Sequence, residues 1–201
     1  MAGKRRKPNV LVVDDEPDLV DLYATNLEGE YGVSTAYGGT EAIELIEDGA
    51  EFDVALIDRR MPSVSGDEVL DRLNETSPGC RVAMVTAVEP DFDVIDMPFD
   101  EYLVKPIRRA EIQDTVERLL RLEDYRERRQ EAYALASKVG ALKSHKDPEE
   151  LKDNEEYEEL VERLEQIRDE LDDTAQSFDS SDFAAAYSDI EAGDVRITTT
   201  D

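Results

Sequence analysis

Short runs of β-branched and aliphatic residues recur along the first two thirds of the chain, separated by stretches whose apolar positions fall three and four apart. Runs at 9–13, 33–37, 53–58, 81–86 and 101–104 are too short for core helices and read as strands. Stretches at 17–28, 39–48 and 66–76 read as amphipathic helices, opened or closed by Pro17, Gly38, Gly49 and Gly66. This alternation predicts an α/β fold, a parallel sheet with helices on both faces.

The pattern weakens between Thr86 and Tyr102, where Pro90, Pro98 and scattered aspartates leave no periodic apolar face. A fourth helix there is expected to be short or irregular, because proline removes a backbone donor and clashes with the preceding turn. A fifth helix begins after Pro106 and meets no stop signal before Gly140. Ser144 to Asp147 read as a polar loop holding the only histidine, His145. Asp147 suits an N-cap and Pro148 the first position of a further helix. That helix carries Tyr157, Leu160, Leu164, Ile167, Leu171 and Phe178 at heptad spacing, with Thr174 as the one miss. Upstream, Tyr125, Ala132, Leu135, Val139 and Leu142 form a weaker stripe, so the two arms are expected to pair as an antiparallel hairpin. Phe183, Tyr187 and Ile190 could add a short cap.

Charge sharpens this division. The chain has 51 acidic and 23 basic residues, for a net charge of -28, and only seven of the bases are lysine. Such a surface repels nucleic-acid backbones and is read as an adaptation to molar salt, where the screening length falls to roughly 3 Å; an acidic adaptor of ordinary salinity is the alternative. Residues 1–120 net -15, 121–146 net +3 and 147–201 net -16. Opposite signs on the two arms favour their pairing, although each exposed pair contributes little. No apolar run approaches the about 18 residues that span a bilayer, and the single cysteine, Cys80, fits a reducing cytoplasmic setting. The expected divisions are a basic arm over 1–8, a sheet domain over 9–122, a helical hairpin over 123–190 and a disordered tail over 191–201.

Ligands of open parallel sheets gather at the carboxyl ends of the strands. There the chain offers Asp14 and Asp15 after the first strand, Asp58 after the third, Thr86 after the fourth and Lys105 before Pro106 after the fifth. Three carboxylates in one pocket repel unless a cation joins them, and an all-oxygen set suits Mg²⁺ better than zinc. Asp15 and Asp58 would hold it, with Asp14 outside them and Lys105 as the remaining positive contact.

Val12-Val13-Asp14-Asp15-Glu16, Asp58-Arg59-Arg60-Met61-Pro62 through Gly66, Thr86-Ala87 and Lys105-Pro106 together resemble the response-regulator receivers. The resemblance covers about 60% of the chain and implies a flavodoxin-like sheet of strand order 2-1-3-4-5. It also implies that Asp58 takes a phosphoryl group from a sensor histidine kinase, with Mg²⁺ on Asp15, Asp58 and the backbone carbonyl of Arg60. Thr86 would move to hold the phosphate, Tyr102 would be the aromatic whose ring turns inward in response, and the Lys105-Pro106 bond would be cis. Two departures stand out: the short Thr86–Lys105 stretch lacks the usual small-residue helix, and Arg59 and Arg60 beside the acceptor could shield or expose the acyl phosphate.

Residues from about Tyr125 to Ile190, including Glu131-Ala132-Tyr133-Ala134-Leu135-Ala136-Ser137-Lys138 and Asp182-Phe183-Ala184-Ala185-Ala186, are similar to the HalX domain found behind receivers in haloarchaea. Three outputs compete. DNA binding would call for a basic recognition helix, whereas the second arm is acidic. An enzymatic output lacks any nucleophile or phosphate cradle near His145. A helical module that binds a protein partner or another copy of itself is preferred, with a DNA-binding transcriptional regulator as the alternative.

Overall fold

The computed structural model describes residues 6–176 and 178, and the expectations for the first five residues and for the tail beyond Phe178 lie outside them. In chain order the elements are β1 (Asn9–Val13), α1 (Pro17–Leu27), β2 (Gly32–Ala36), α2 (Gly39–Glu47), β3 (Val54–Ile57), α3 (Gly66–Thr76), β4 (Arg81–Thr86), a single 3-10 turn (Phe92–Val94), β5 (Glu101–Val104), α4 (Arg109–His145), α5 (Pro148–Lys152) and α6 (Glu155–Gln176). The chain divides into two compact units between Leu120 and Arg121.

In the first unit the five strands are all parallel, in the order β2-β1-β3-β4-β5. Central strands are buried along their length, as a sheet covered on both faces requires. Alternate residues divide between the faces. Leu11, Val13, Ala55 and Ile57 join one core with Ala42 and Ile46 of α2 and Val69, Leu70 and Leu73 of α3. Val10, Val12 and Leu56 are equally buried but stand outside that cluster, as do Val20, Tyr23 and Leu27 of α1 and Ile112, Val116 and Leu119 of α4.

α3 starts where a capping box dictates: Ser65 Oγ accepts from Glu68 N (3.3 Å) and the Glu68 carboxylate accepts from Ser65 N (2.9 Å). Between β4 and β5 the proline-broken segment forms only the 3-10 turn, as expected of it.

In the second unit, Tyr125 of α4 packs edge-on against Phe178 (5.1 Å), Arg128 pairs with Glu170 and Glu131 with Arg163 (3.1 Å). Partner numbers fall as α4 advances, so the arms run antiparallel. The charges cross in both directions: Arg128 follows the expected sense, and Arg163 of the acidic arm reverses it. Three details differ from expectation. α4 continues through Gly140, because an interior glycine costs about 1 kcal/mol without ending a helix that is packed elsewhere. His145 is therefore the last residue of α4 and not a loop residue, with Nδ1 on the Ala141 carbonyl (2.9 Å). The second arm is also two helices, since Asp153 and Asn154 interrupt it and Asn154 Oδ1 caps α6 by accepting from Tyr157 N (2.8 Å). Asp147 does cap α5, accepting from Glu149 N (2.9 Å).

Candidate functional site

The sheet's backbone ladder runs one residue past the strands. Asp14 N donates to Ala36 O (3.2 Å), Asp58 N to Val13 O (2.8 Å) and Lys105 N to Thr86 O (2.8 Å). These bonds hold the sequence-predicted residues at one edge of the sheet, although they are 91 positions apart in the widest case. Carboxylate oxygens of Asp14, Asp15 and Asp58 all lie within 4.8 Å of one another. Asp14 and Asp58 are buried, while Asp15 is exposed.

Lys105 Nζ donates to Asp14 Oδ2 at 2.5 Å and to Asp58 Oδ2 at 3.1 Å, and lies 3.9 Å from Glu16 Oε1. Burial pulls the ammonium's pKa down, but its hydrogen bonds to the two carboxylates outweigh this and hold it above the ordinary lysine value. Burial pushes the Asp14 carboxyl above its ordinary value, opposed by the hydrogen bonds from Lys105 and from Glu16 N (3.0 Å). One ammonium among three carboxylates leaves two negative charges in a pocket of oxygen donors. A divalent cation with oxygen preference fits this donor set.

The acceptor strand is joined closely to α3. Gly66 N donates to Arg59 O (3.0 Å), and a Cβ at Gly66 would lie 2.1 Å from the Asp58 carbonyl oxygen. Glycine is required there by close backbone approach. The Lys105-Pro106 bond is cis.

Thr86 is fully buried at the end of β4, its Oγ1 accepting from Val88 N (3.4 Å). Tyr102 is half-buried against Phe99 (ring centroids 5.6 Å) and the core below α3, and its hydroxyl donates to the Val88 carbonyl (2.9 Å). Both residues named as switch candidates therefore meet at Val88. Arg60 is exposed, and its amide donates to Asp58 Oδ1 (3.3 Å). Arg59 departs from the expectation that it flanks the phosphate. Its buried guanidinium spans Asp67 of α3 (3.1 and 3.4 Å) and Asp93 of the 3-10 turn (2.6 Å). Asp93 is the residue that sequence reasoning missed: it stands among several aspartates, and no spacing rule brings it to Arg59.

A doubly wound parallel sheet of this order, with an acidic triad and a bridging lysine at its carboxyl edge, places the first unit in the flavodoxin-like class of α/β folds. Residues 10–117, more than half of the chain, match the response regulator receiver domain, and the chain belongs to that family. Residues 121–187 match the HalX domain. A putative transcriptional regulator of Haloferax volcanii is 49% identical over 162 residues, covering 80% of this chain and 27% of that protein. The regulatory protein VanRc of Enterococcus gallinarum is 35% identical over 116 residues, covering 56% of this chain and 49% of that one. The chain thus spans half or less of the length of these curated relatives. Among solved structures, a CheY-like receiver domain protein of Methanospirillum hungatei superposes with a TM-score of 0.55 at 26% identity, over 59% of this chain and 97% of that one. Among the described residues, no helix is long and apolar enough to cross a membrane.

Proposed function

We propose that the protein is a cytoplasmic response regulator in which Asp58 accepts a phosphoryl group from a sensor histidine kinase, and that a receiver over 9–122 controls a helical output over 123–190. The observation that carries this reading is the Lys105 ammonium shared between Asp14 and Asp58 at the strand edge. A carboxylate oxygen of Asp58 attacks the phosphorus of a phosphohistidine; the P–O bond forms, the P–N bond breaks, and the imidazole leaves with the electron pair and takes a proton from solvent. Asp15, Asp58 and the Arg60 carbonyl, with Asp14 outside them, would hold Mg²⁺, whose charge offsets that of the incoming phosphoryl oxygens. Lys105 holds Asp58 in place and presents its ammonium to the same oxygens. Thr86 gives up the Val88 amide to reach the phosphoryl group, and the Tyr102 hydroxyl on the Val88 carbonyl holds the ring inward behind it.

The hairpin then engages a protein partner or a second copy. Direct DNA binding is disfavoured because the second arm is strongly acidic and offers, among the described residues, no basic recognition helix; retardation of promoter DNA lost on charge reversal at Arg126, Arg128 and Arg129 would reverse that ranking. For the receiver, the full chain is incubated with phosphoramidate in molar KCl. Uptake of a phosphoryl group that requires Mg²⁺ and is lost in Asp58→Asn is expected; uptake that survives either change would contradict the reading.

A further inference from the structure

The segment between β4 and β5 is where this receiver departs most from a regular βα unit. Between Glu89 and Phe99, among the described residues, the backbone hydrogen bonds are short-range: Val94 N to Asp91 O, Ile95 N to Phe92 O, Met97 N to Val94 O and Phe99 N to Met97 O. The Asp91 carboxylate caps its own turn on Phe92 N (2.7 Å). Phe92 and Ile95 are 85% and 71% exposed, so neither of these side chains fixes the turn, and the segment's apolar packing on the core comes after it, at Met97 and Phe99. The turn's own side-chain tether is the Asp93 carboxylate, which accepts from Arg59 Nη2 at 2.6 Å.

Arg59 is well placed to serve as an anchor. It follows Asp58 directly, its side chain is 7% exposed, and Asp67 at the start of α3 fixes it through two parallel N–H···O bonds. A planar guanidinium held on one side by a carboxylate loses little further freedom in binding a second. Its pKa is held above the ordinary arginine value by Asp93 first and Asp67 next, with Tyr102 adding to them.

The opposite end of the same segment carries Val88, whose N–H meets Thr86 Oγ1 and whose carbonyl accepts the Tyr102 hydroxyl. Moving the turn moves Val88, and moving Val88 releases Tyr102 from its place against Phe99 and the core. We propose that Arg59 is a positioning residue of the switch: by holding Asp93 it fixes the 88–96 segment where Val88 can bind Tyr102, and so favours the arrangement with the Tyr102 ring packed inward. The inference rests on the receiver reading above and assigns the arginine beside the acceptor a part in deciding how readily the phosphorylated state forms.

The test measures the affinity of the full chain for beryllofluoride with Mg²⁺, a stable phosphoryl mimic, in a double-mutant cycle of Asp93→Asn and Tyr102→Phe. A partly exposed ion pair carries a two- to five-fold effect at most, so Asp93→Asn is expected to weaken binding by roughly that factor. In the Tyr102→Phe background, which already lacks the hydroxyl bonded to Val88, Asp93→Asn is expected to add little. The same factor in both backgrounds would mean a merely structural pair and would overturn the proposal, as would unchanged affinity in Asp93→Asn. Absence of binding by the parent chain, or binding that survives Asp58→Asn, would instead remove the receiver reading and the proposal with it.

Discussion

Gly66→Ala is the substitution whose outcome the geometry constrains most tightly. An added methyl would sit 2.1 Å from the Asp58 carbonyl oxygen, 2.8 Å from the Arg59 Cα and 2.9 Å from the Asp58 carbonyl carbon, where ordinary contact begins near 3.4 Å. All three are backbone atoms, so no side chain can rotate away. Either α3 retreats by about 1 Å, giving up the Gly66 N to Arg59 O bond, or the Asp58 peptide shifts and carries its carboxylate away from Lys105. Overpacking of this kind costs about 1–3 kcal/mol and loss of the backbone bond about 1 more, so a destabilisation of roughly 2–4 kcal/mol is expected. Urea unfolding in molar KCl, followed by far-UV circular dichroism and by amide exchange in β3, gives the number. Gly140→Ala is the internal control: its Cβ meets nothing within 4 Å in the middle of α4, and alanine there is expected to stabilise the helix by up to about 1 kcal/mol. A change below about 0.5 kcal/mol for Gly66→Ala, the size of an ordinary surface substitution, would refute the close-approach argument.

Two further outcomes follow from the site. Mg²⁺ should stabilise the full chain, by about 2.7 kcal/mol at a concentration one hundred times its dissociation constant, and Asp15→Asn should blunt the response while a matched ionic strength of KCl does not reproduce it; equal stabilisation by KCl alone would argue against a specific ion. Arg60, exposed beside the acceptor with its amide on Asp58, should govern the access of water to the acyl phosphate, and an unchanged dephosphorylation rate in Arg60→Ala would exclude it from that role.

The central strands were legible in the sequence because β1, β3 and β4 are short aliphatic, largely β-branched runs each ending at a polar residue, and α3 was legible from Gly66, although the Ser65–Glu68 capping box that starts it was not read. The irregular β4–β5 segment could also be foreseen, since Pro90 and Pro98 act locally. The break at Asp153 and Asn154 was hidden in a continuous acidic run, where the heptad stripe of the second arm passes straight over a helix start. Gly140 misled in the opposite direction, because a glycine marks a helix end only when its backbone turns left-handed, and this one stays helical.

At the site, sequence order was enough to bring Asp14, Asp15, Asp58 and Lys105 to one edge, since the parallel topology places every strand's carboxyl end there. It was not enough to show that Lys105 bridges Asp14 and Asp58, because that depends on side-chain reach across strands. Nor could it place Arg59, whose side chain is drawn to Asp67 and Asp93 and so lies between α3 and the 3-10 turn. Local rules describe what acts locally; the pairing of charges 34 residues apart is a property of the fold.

The central claim is that one carboxylate out of 51 acidic residues receives the phosphoryl group. Borohydride reduction of the freshly phosphorylated chain converts an acyl-phosphate aspartate to homoserine, and peptide mass spectrometry then names the position. Homoserine at position 58 alone, absent without Mg²⁺, is the predicted result; homoserine at Asp14, Asp15 or elsewhere, or none in a chain that has taken up phosphate, would contradict the account.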